Sequence, residues 1–293
     1  MRLRRLRAGD RDAVLHTWNA AAEHDPLTPA LLEEKLQGDA DYAPGLALAA
    51  EEGGELAGFV VAVLRPTRVG YVKLLAVDGP RRRAGIGSAL LGAAEERLSR
   101  VGARSVRLLE SAPNYLTPGI DCRYREAIAF VRARGYRETG EARNLAVDLA
   151  RAWHAPDAPG DVEIRRASVA DRSALRRLLD ANWPSWNAEC EVALMRSPPS
   201  LHVALRGGRV LGFAAWDANN RGTGWFGPMG VAPAVRRSGV GCVLLHRCLD
   251  DMRRQGHDAA VIAWVDNAPF YVRCAGAVPA RTFIRFEKTL HAD

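Results

Sequence analysis

Two short segments of this chain have nearly the same sequence. Arg82–Gly87 is Arg-Arg-Ala-Gly-Ile-Gly and Arg236–Gly241 is Arg-Arg-Ser-Gly-Val-Gly, at an offset of 154 residues. Each segment follows an apolar, strand-like run and opens an amphipathic helical pattern. Glycines at such a turn let backbone N–H groups converge on one point, where the helix N-terminus adds partial positive charge. The repeated motif therefore predicts a duplicated module that binds a pyrophosphate.

The repeat extends beyond the two turns and divides the chain. Leu3–Arg11 aligns with Ile164–Arg172, and each predicts a short strand that leads through an aspartate, a common helix N-cap, into a helix. A length of 293 residues fits about two domains of ordinary size. A stretch rich in proline and glycine lies between the repeats and indicates a linker. We therefore predict an N-terminal domain at 1–151, a linker at 152–161 and a C-terminal domain at 162–293.

Both repeats place predicted strands and helices in the same order. Paired strands flank Gly53-Gly54 in the first repeat and Gly207-Gly208 in the second, and a further strand runs into each glycine turn. In the helix after each turn, apolar residues recur every four positions and predict a buried face. These residues are Ile86, Leu90, Ala94 and Leu98, then Val240, Leu244, Cys248 and Met252. The first repeat carries about 14 extra residues, in and around Ser111–Asp121, where a loop would lie near a ligand cleft.

Composition narrows the class of protein. The chain has 48% hydrophobic residues, yet its longest apolar stretches are shorter than the roughly 18–20 residues of a membrane span. The basic N-terminal segment leads into no apolar signal region. Five cysteines without a Cys-x-x-Cys pair indicate free thiols in a reducing compartment. We therefore expect a cytoplasmic protein with no membrane partner.

The net charge of +7 comes almost entirely from arginine, since lysine occurs only at 35, 73 and 288. The arginines are spread through both halves without a long basic run, a pattern that disfavours nucleic acid as a partner. A phosphorylated cofactor accounts for the basic character more simply. The sequence leaves the oligomeric state open.

The order of motifs resembles that of the GCN5-related N-acetyltransferase (GNAT) family. The shared order is strand, Arg-x-x-Gly-x-Gly, helix, strand, and a helix that carries Phe270-Tyr271 and ends near Gly276. The resemblance covers nearly the whole chain as two copies, an arrangement similar to that of tandem members such as mycothiol synthase. It implies two tandem domains of the α/β class, each a mixed, mostly antiparallel sheet flanked by helices. It also implies acetyl-CoA as the acyl donor, bound where two parallel strands separate, and no metal.

The resemblance assigns cofactor-binding roles to residues of both repeats. It implies that main-chain N–H groups of the turns hold the pyrophosphate, and that the pantetheine arm pairs with the strand before each turn. The implied residues are Leu75, Ala76, Val77, Arg82, Arg83, Ala84, Gly85, Ile86, Gly87, Ser88, Met229, Gly230, Val231, Arg236, Arg237, Ser238, Gly239, Val240, Gly241, Cys242 and Asn267. The alternative is that the glycines only let helix and strand pack closely.

Direct acetyl transfer needs a neutral amine, a route for its proton and an acid for the departing thiolate. In many relatives a tyrosine in the Phe-Tyr pair is that acid, so the resemblance makes Tyr271 the catalytic candidate. An alignment anchored on Gly276 instead would place Val272 at this position. An ordinary tyrosine packed on the sheet is the other interpretation.

The first repeat has Phe130-Val131 at the matching position, so the usual phenol is absent there. Tyr115, Tyr124 or a chain of waters would have to replace it. Glu110 is a candidate base, although the favoured interpretation is a solvated carboxylate at a strand end. The second repeat offers two carboxylates at loop edges, Asp217 and Asp266.

These inferences predict a tandem N-acetyltransferase that moves an acetyl group from acetyl-CoA to a primary amine of a small molecule. We expect the C-terminal half to perform the chemistry and the N-terminal half to shape the cleft or stabilise its partner. One alternative is catalysis in the N-terminal half, with the loop at 111–121 contacting the acceptor. Another is a non-catalytic acyl-CoA sensor or scaffold. Five tryptophans of the second half are expected in the core, or alternatively in an acceptor pocket: Trp183, Trp186, Trp216, Trp225 and Trp264.

Overall fold

The computed structural model describes residues 1–151 and 156–290. It divides into two compact units, the first formed by Met1–Ala142 with Thr282–Asp293 and the second by Arg143–Arg281. These units differ from the repeat boundaries because the end of each repeat packs with the other unit. Residues 152–155 of the predicted linker lie outside the described residues.

The first repeat begins with a short strand and two helices, followed by a three-stranded meander. A helix, a short strand, a long loop and a final helix and strand complete it. Its elements are β1 (Arg2–Arg5), α1 (Arg11–Ala21), α2 (Pro29–Lys35), β2 (Tyr42–Glu52), β3 (Glu55–Leu64), β4 (Val69–Val77), α3 (Ile86–Arg100), β5 (Ser105–Leu108), β6 (Ile120–Asp121), α4 (Arg125–Ala133) and β7 (Arg137–Asp148).

The second repeat has the same order without a counterpart of β6. Its elements are β8 (Glu163–Arg166), α5 (Arg172–Asn182), α6 (Asn187–Leu194), β9 (Leu201–Arg206), β10 (Arg209–Trp216), β11 (Trp225–Val231), α7 (Val240–Arg254), β12 (Ala259–Ile262), α8 (Ala268–Ala275) and β13 (Val278–Thr289). No helix in the described part of the chain is long and apolar enough to cross a membrane.

Each unit has a mixed, mostly antiparallel sheet whose last strand comes from the other repeat. In the first unit the order is β1-β2-β3-β4-β5-β13, with β4 and β5 parallel and Glu287 of β13 opposite Arg107 of β5. In the second unit the order is β8-β9-β10-β11-β12-β7, with β11 and β12 parallel and Leu145 of β7 opposite Ile262. The fold class predicted from the sequence is confirmed.

Helices cover both faces of each sheet. Because side chains alternate across a strand, Val60 of β3 packs with α3 and α4, whereas its neighbours Phe59 and Val61 pack with α1 and α2. In the second unit, α7 and α8 cover one face and α5 and α6 the other. The predicted buried faces of α3 and α7 are confirmed, since every predicted position is at most 3% exposed: Ile86, Leu90, Ala94, Leu98, Val240, Leu244, Cys248 and Met252.

The aspartates before α1 and α5 have a different role from the expected helix caps. Asp171 precedes α5, but its carboxylate accepts hydrogen bonds from the Ser168 amide (2.8 Å) and from Arg165 Nη1 and Nη2 (2.7 and 2.8 Å). Asp10 makes the corresponding bonds with Arg4 in the first repeat, at 2.7 and 2.9 Å. The aspartate therefore ties the edge strand to the turn before the helix, and the repeated sequence produces a repeated local structure.

Candidate functional site

The two glycine turns have the same backbone conformation. α3 begins after Gly85, whose φ is +84°, and α7 begins after Gly239, whose φ is +89°. Two residues earlier, Arg83 and Arg237 also lie in the left-handed region, at +64° and +63°. No described atom lies within 4 Å of a Cβ added at either glycine. The glycines are thus required by their positive φ, and the space beside them is open.

The second glycine of each turn has a packing role. A Cβ at Gly241 would lie 3.2 Å from Cε of Met229 and 3.4 Å from Cζ of Phe270. At Gly87 the corresponding distance to Phe130 is 3.5 Å. The packing explanation of the motif therefore accounts for Gly87 and Gly241, whereas Gly85 and Gly239 shape the turn itself.

The helix ends that follow the turns can hold an anion. The amides of the first turn of any helix have no partner within it. In α3 the helical hydrogen bonds begin with the Ala89 amide, which donates to the Gly85 carbonyl at 3.0 Å. The amides of Ile86–Ser88 lie before this first bond of the helix. α3 and α7 are both 15 residues long, and their dipoles favour negative charge at these N-termini. The exposed turns, the free space at the first glycine and these amides fit a pyrophosphate.

Beside each turn, two parallel strands separate. The pairing of β4 with β5 ends at Val72 and Leu108, although β4 continues to Val77. In the second unit the pairing of β11 with β12 ends at Phe226 and Ile262, although β11 continues to Val231. Each gap leaves one strand edge without its parallel neighbour, and such an edge can pair with an extended chain. The predicted pantetheine-binding residues lie in these segments: Leu75, Ala76, Val77, Met229, Gly230 and Val231.

A β-bulge lies where each strand begins to separate. In the first unit Val72 and Leu74 pair with successive residues of β3, so Lys73 is the additional residue of β4. The matching irregularity in β11 falls between Phe226 and Met229 and contains Gly227. Gly227 has φ +124°, and no described atom lies within 4 Å of a Cβ added there. The repeats therefore differ at this position, where one has a lysine and the other an open space.

The Lys73 ammonium group is buried in a polar network that sequence reasoning missed. Its Nζ donates to the Lys35 carbonyl at 2.9 Å, to Asn114 Oδ1 at 3.1 Å and to the Asp39 carboxylate. Arg65 also donates to Asp39 through both terminal nitrogens, at 2.6 and 2.8 Å. The available signal was a charged residue inside the otherwise apolar strand 69–77, in a chain that has three lysines.

Burial changes the protonation of this network. Burial lowers the pKa of Lys73 to about 7, although the neighbouring Asp39 acts in the opposite direction. Burial also raises the pKa of Asp39, but Arg65 and Lys73 more than offset this and hold it below its usual value. An amine with a pKa near 7 is partly neutral at physiological pH and is therefore a nucleophile.

Tyr271 of α8 lies at the point where the strands of the second unit separate. Its half-buried ring is 6.2 Å from the ring of Phe226, the last paired residue of β11, and 4.9 Å from the ring of Phe270. Within the described residues, its hydroxyl makes no hydrogen bond to protein. Burial, followed by the charge of Asp266, raises the pKa of Tyr271 to about 12. The phenol thus stays protonated at neutral pH.

The candidate groups of the first repeat are engaged in structural contacts. Val131 is buried, and the Tyr124 hydroxyl donates to Asp25 at 2.9 Å. Tyr115 is buried as well. Glu110 is 2% exposed and accepts hydrogen bonds from Arg285, one of them from Nη2 at 3.1 Å. The expectation that Glu110 is solvated is therefore wrong, because β13 brings an arginine to the end of β5.

The remaining candidates of the second repeat are dispersed. Asp217 is buried and accepts from the Gly222 amide at 3.0 Å, so it shapes its own loop. Asp266 is exposed, as is Asn267 at the start of α8. The tryptophans fall into two groups. Trp216 and Trp225 are buried, whereas Trp183, Trp186 and Trp264 are half-buried.

Trp183 and Trp186 form an aromatic stack beside β11. Their ring centroids are 5.5 Å apart with an interplanar angle of 19°. A Cβ on Gly230 would come within 2.7 Å of the Trp183 ring, so this ring packs directly on the strand. Trp183 therefore covers Gly230 of β11, and both rings pack on the sheet face that carries α5 and α6.

Comparison with known proteins identifies the family. The model of the acetyltransferase (GNAT) family matches residues 12–120 and again residues 168–276. The chain belongs to the GNAT family. It is therefore an acyltransferase with two GNAT repeats in tandem, as predicted. No curated protein matches its sequence. The likeness to mycothiol synthase stays a prediction.

Solved GNAT structures share the fold of both repeats. A glucosamine N-acetyltransferase region of a fungal multi-domain GH3 β-N-acetylglucosaminidase has a TM-score of 0.83 and 21% identity. That match covers 98% of this chain and 38% of the fungal chain, so this chain spans well under half of its relative. A GNAT protein from Sphaerobacter thermophilus has a TM-score of 0.76 and 20% identity, over 99% of this chain and 96% of that one. A tandem GNAT protein from the clavulanic acid biosynthesis pathway has a TM-score of 0.71 and 18% identity, with coverage of 100% and 99%.

Proposed function

We propose that this GNAT protein transfers an acetyl group from acetyl-CoA to a primary amine of a small molecule, and that the second unit performs the transfer. The observation that carries the proposal is the position of Tyr271, whose ring lies against the residue where β11 and β12 separate. The glycine turn at Gly239 and the open edge of β11 lie on the same strand–turn–helix segment. Donor-binding groups and a phenol therefore meet in one unit.

The donor would be bound mainly by backbone groups. The amides of Val240 and Gly241 would face the pyrophosphate, since the Cys242 amide already bonds to the Gly239 carbonyl at 3.0 Å. The open edge of β11 from Gly227 to Val231 would pair with the extended arm. Acetyl-CoA supplies the activated acyl group when it is bound. An arm that followed β11 from the turn towards Gly227 would bring its reactive end to the region of Phe226, which Tyr271 contacts.

Tyr271 would act by hydrogen bonding. A phenol with a pKa of about 12 is protonated at neutral pH, so its hydroxyl can donate to the sulfur that takes up negative charge. A thiol has a pKa of about 8.5, so full proton transfer from this phenol is unfavourable. The proton that the sulfur finally receives is the one that the amine loses, and the hydroxyl stabilises the charge in the meantime.

The acceptor amine would enter through the space at Gly227. In the first unit the matching position carries Lys73, whose amine fills the region beside the strand gap. In the second unit the space at Gly227 is open, and the half-buried Trp183 packs further along the same strand, at Gly230. Apolar walls beside a polar reaction centre are typical of small-molecule sites.

Replacement of Tyr271 by phenylalanine tests the proposal. The variant removes one hydroxyl and keeps the ring packed against Phe226, so we expect the affinity for acetyl-CoA to stay unchanged. Turnover on a panel of primary amines should fall by about tenfold to a hundredfold, the usual effect of losing one catalytic hydrogen bond. Tyr71 is a half-buried tyrosine in the paired part of β4, opposite Arg107. Tyr71→Phe removes the same hydroxyl group away from the second unit, so this control should keep full turnover. Normal turnover of Tyr271→Phe would remove the residue from the mechanism.

The same assay separates the alternatives. An acyl-CoA sensor would bind CoA in calorimetry and acetylate no amine of the panel. Catalysis by the first unit would survive substitution of Tyr271. We favour the second unit because Val131, Tyr124 and Glu110 of the first are held in packing and hydrogen bonds that leave no comparable acid at its strand gap within the described residues.

A further inference from the structure

The first unit contains a built binding site for a primary amine, and Lys73 occupies it. The lysine is 2% exposed, yet its ammonium group meets three acceptors: the Lys35 carbonyl, Asn114 Oδ1 and the Asp39 carboxylate. An ammonium group has three N–H donors, so these acceptors satisfy it completely. Arg65 holds Asp39 in place from the other side.

Lys73 lies at the strand gap of the first unit, where the reactive end of a bound acyl donor is expected. Lys73 is the bulged residue of β4, directly after the last pair between β4 and β5. An arm that follows β4 from the first glycine turn passes Val77 and Leu75 before it reaches Lys73. At about 3.3 Å per residue, the distance from Val77 to Lys73 is about 13 Å. The reactive end of a bound donor would thus come to lie beside the lysine.

The charges around Lys73 favour a reactive amine. Burial lowers its pKa to about 7, and the cations Lys35 and Arg65 act in the same direction, whereas Asp39 opposes them. Part of the population is therefore neutral near physiological pH and can attack a carbonyl carbon. The neighbouring Asp39 stays ionised, because Arg65 and Lys73 hold its pKa below the usual value, and it orients the amine by accepting its hydrogen bond.

We infer that Lys73 is an acetylation site of this protein, modified within the same chain by acetyl-CoA bound at the first glycine turn. The inference rests on the proposed function, since it requires the donor to bind. The Lys73 Nζ forms an amide bond with the acetyl carbon, and the bond between that carbon and sulfur breaks. The electron pair of the broken bond stays on sulfur. The sulfur receives the proton that the amine loses, and the products are acetyl-Lys73 and CoA.

The second unit supplies the structural contrast. At the matching bulge Gly227 has no side chain and open space around it. The two repeats would therefore share one geometry for transfer, with an acceptor from solution in the second unit and the chain's own amine in the first. The acetylated lysine loses its charge and closes the first gap to other acceptors.

Incubation of the full chain with isotopically labelled acetyl-CoA near neutral pH tests the inference. Peptide mass spectrometry then measures the label at each lysine. We expect Lys73 to approach one label per chain and to react at least about tenfold faster than Lys288, which is more exposed and paired with Glu95. Equal or slower labelling of Lys73 would overturn the inference.

A pair of turn variants shows whether the donor acts from the first site. Gly85→Glu brings a carboxylate to the pyrophosphate position, and Gly85→Gln is the uncharged control of the same size. Labelling of Lys73 should fall about tenfold or more in Gly85→Glu relative to Gly85→Gln. Equal labelling in both variants would mean reaction with free acetyl-CoA and would contradict the inference. Calorimetry with CoA is run in parallel. No CoA binding at all defeats the proposed function, whereas binding without a label at Lys73 defeats the inference alone.

A second experiment tests the amine site without acetyl-CoA. Lys73→Ala should leave an amine-sized space lined by Asp39, Asn114 and the Lys35 carbonyl. We expect butylamine to raise the melting temperature of this variant and to leave that of the wild type unchanged, with butanol as the neutral control. Equal effects of butylamine and butanol would show that the site has no preference for an amine. If Lys73→Ala does not fold, the labelling of the wild type and the Gly85 pair still decide the question.

Discussion

The buried carboxylate of Asp39 offers a sharp test of the energetics of the first unit. It is 4% exposed and accepts hydrogen bonds from both Arg65 and Lys73. Asp39→Asn keeps the size and one oxygen acceptor of the side chain but removes its charge. The two buried cations would then face each other without a buried counter-charge.

The burial of this ion pair sets the expected loss of unfolding free energy in Asp39→Asn. Breaking a buried ion pair by removing one partner costs about 3–5 kcal/mol, since the remaining charge stays desolvated. We expect Asp39→Asn to lower the free energy of unfolding of the first unit by this amount. For a unit of this size the melting temperature would fall by roughly 6–20 °C.

Asp41 provides a matched control on the same arginine. Its carboxylate accepts from Arg65 Nη1 at 2.8 Å, but its side chain is 35% exposed. A partly exposed pair of this kind contributes about 0–1 kcal/mol, so Asp41→Asn should have a small effect. Denaturant unfolding gives the free energies, and hydrogen exchange in peptides of β4 and β11 assigns the loss to the first or the second unit. A loss in Asp39→Asn no larger than in Asp41→Asn would refute the reasoning.

The pH dependence follows from the depressed pKa of Asp39. Burial raises this pKa, but Arg65 and Lys73 hold it below the unfolded value of about 3.9. A depressed carboxyl pKa stabilises the folded state above the unfolded pKa, and this contribution is lost as the pH falls through the folded pKa. The difference between wild type and Asp39→Asn should therefore be full at neutral pH and shrink below about pH 4.

Two further predictions concern the turn and the edge strand. Gly241→Ala should destabilise the second unit by about 1 kcal/mol, because the new Cβ meets Met229 at 3.2 Å. Gly87→Ala should have a smaller effect on the first unit, since its nearest contact is at 3.5 Å. Equal losses of unfolding free energy in the two variants would contradict the packing role. Arg165 lowers the pKa of Asp171 to about 2, so Asp171→Asn should cost about 1 kcal/mol at neutral pH, after allowance for solvent screening. This cost should shrink below about pH 4 and vanish only well below pH 2. Unfolding free energies of wild type and Asp171→Asn, measured at decreasing pH, test this pH dependence. A difference between them that stays the same at low pH would contradict the prediction.

Local features of the fold were predictable because they depend on local sequence. The two glycine turns were identified from six residues each, and the φ angles of Gly85 and Gly239 agree within a few degrees. The buried faces of α3 and α7 followed from four-residue spacing. In these elements the pattern and the conformation are determined by the same few neighbours.

The strand exchange could not be predicted from the repeats. β7 and β13 each follow a helix at the same place in their repeat, and both segments have strand-like sequences. Which sheet each strand joins depends on pairing partners more than 100 residues away, such as Arg107 with Glu287. The alternation of side chains specifies a strand but not its neighbour.

The network at Lys73 was missed for a similar reason. Its members come from α2, the end of β3, β4 and the loop after β5, and no short motif connects them. A bulge has no reliable sequence signature, so the position of Lys73 at the strand gap emerged only from the register with β3. The rarity of lysine in this arginine-rich chain was the one available sign.

The central claim is that the turn at Gly239 holds the acyl donor for the transfer. Gly239→Glu and Gly239→Gln share the strain of a side chain at φ +89°, and no described atom lies within 4 Å of a Cβ added there. The carboxylate alone adds repulsion from a pyrophosphate, about 3 kcal/mol at roughly 5 Å and intermediate dielectric, which is roughly a hundredfold in affinity. Calorimetry with acetyl-CoA and turnover on the amine panel should therefore show Gly239→Glu about a hundredfold weaker than Gly239→Gln in both binding at this site and kcat/KM. Equal affinity and equal kcat/KM in the two variants would contradict the account.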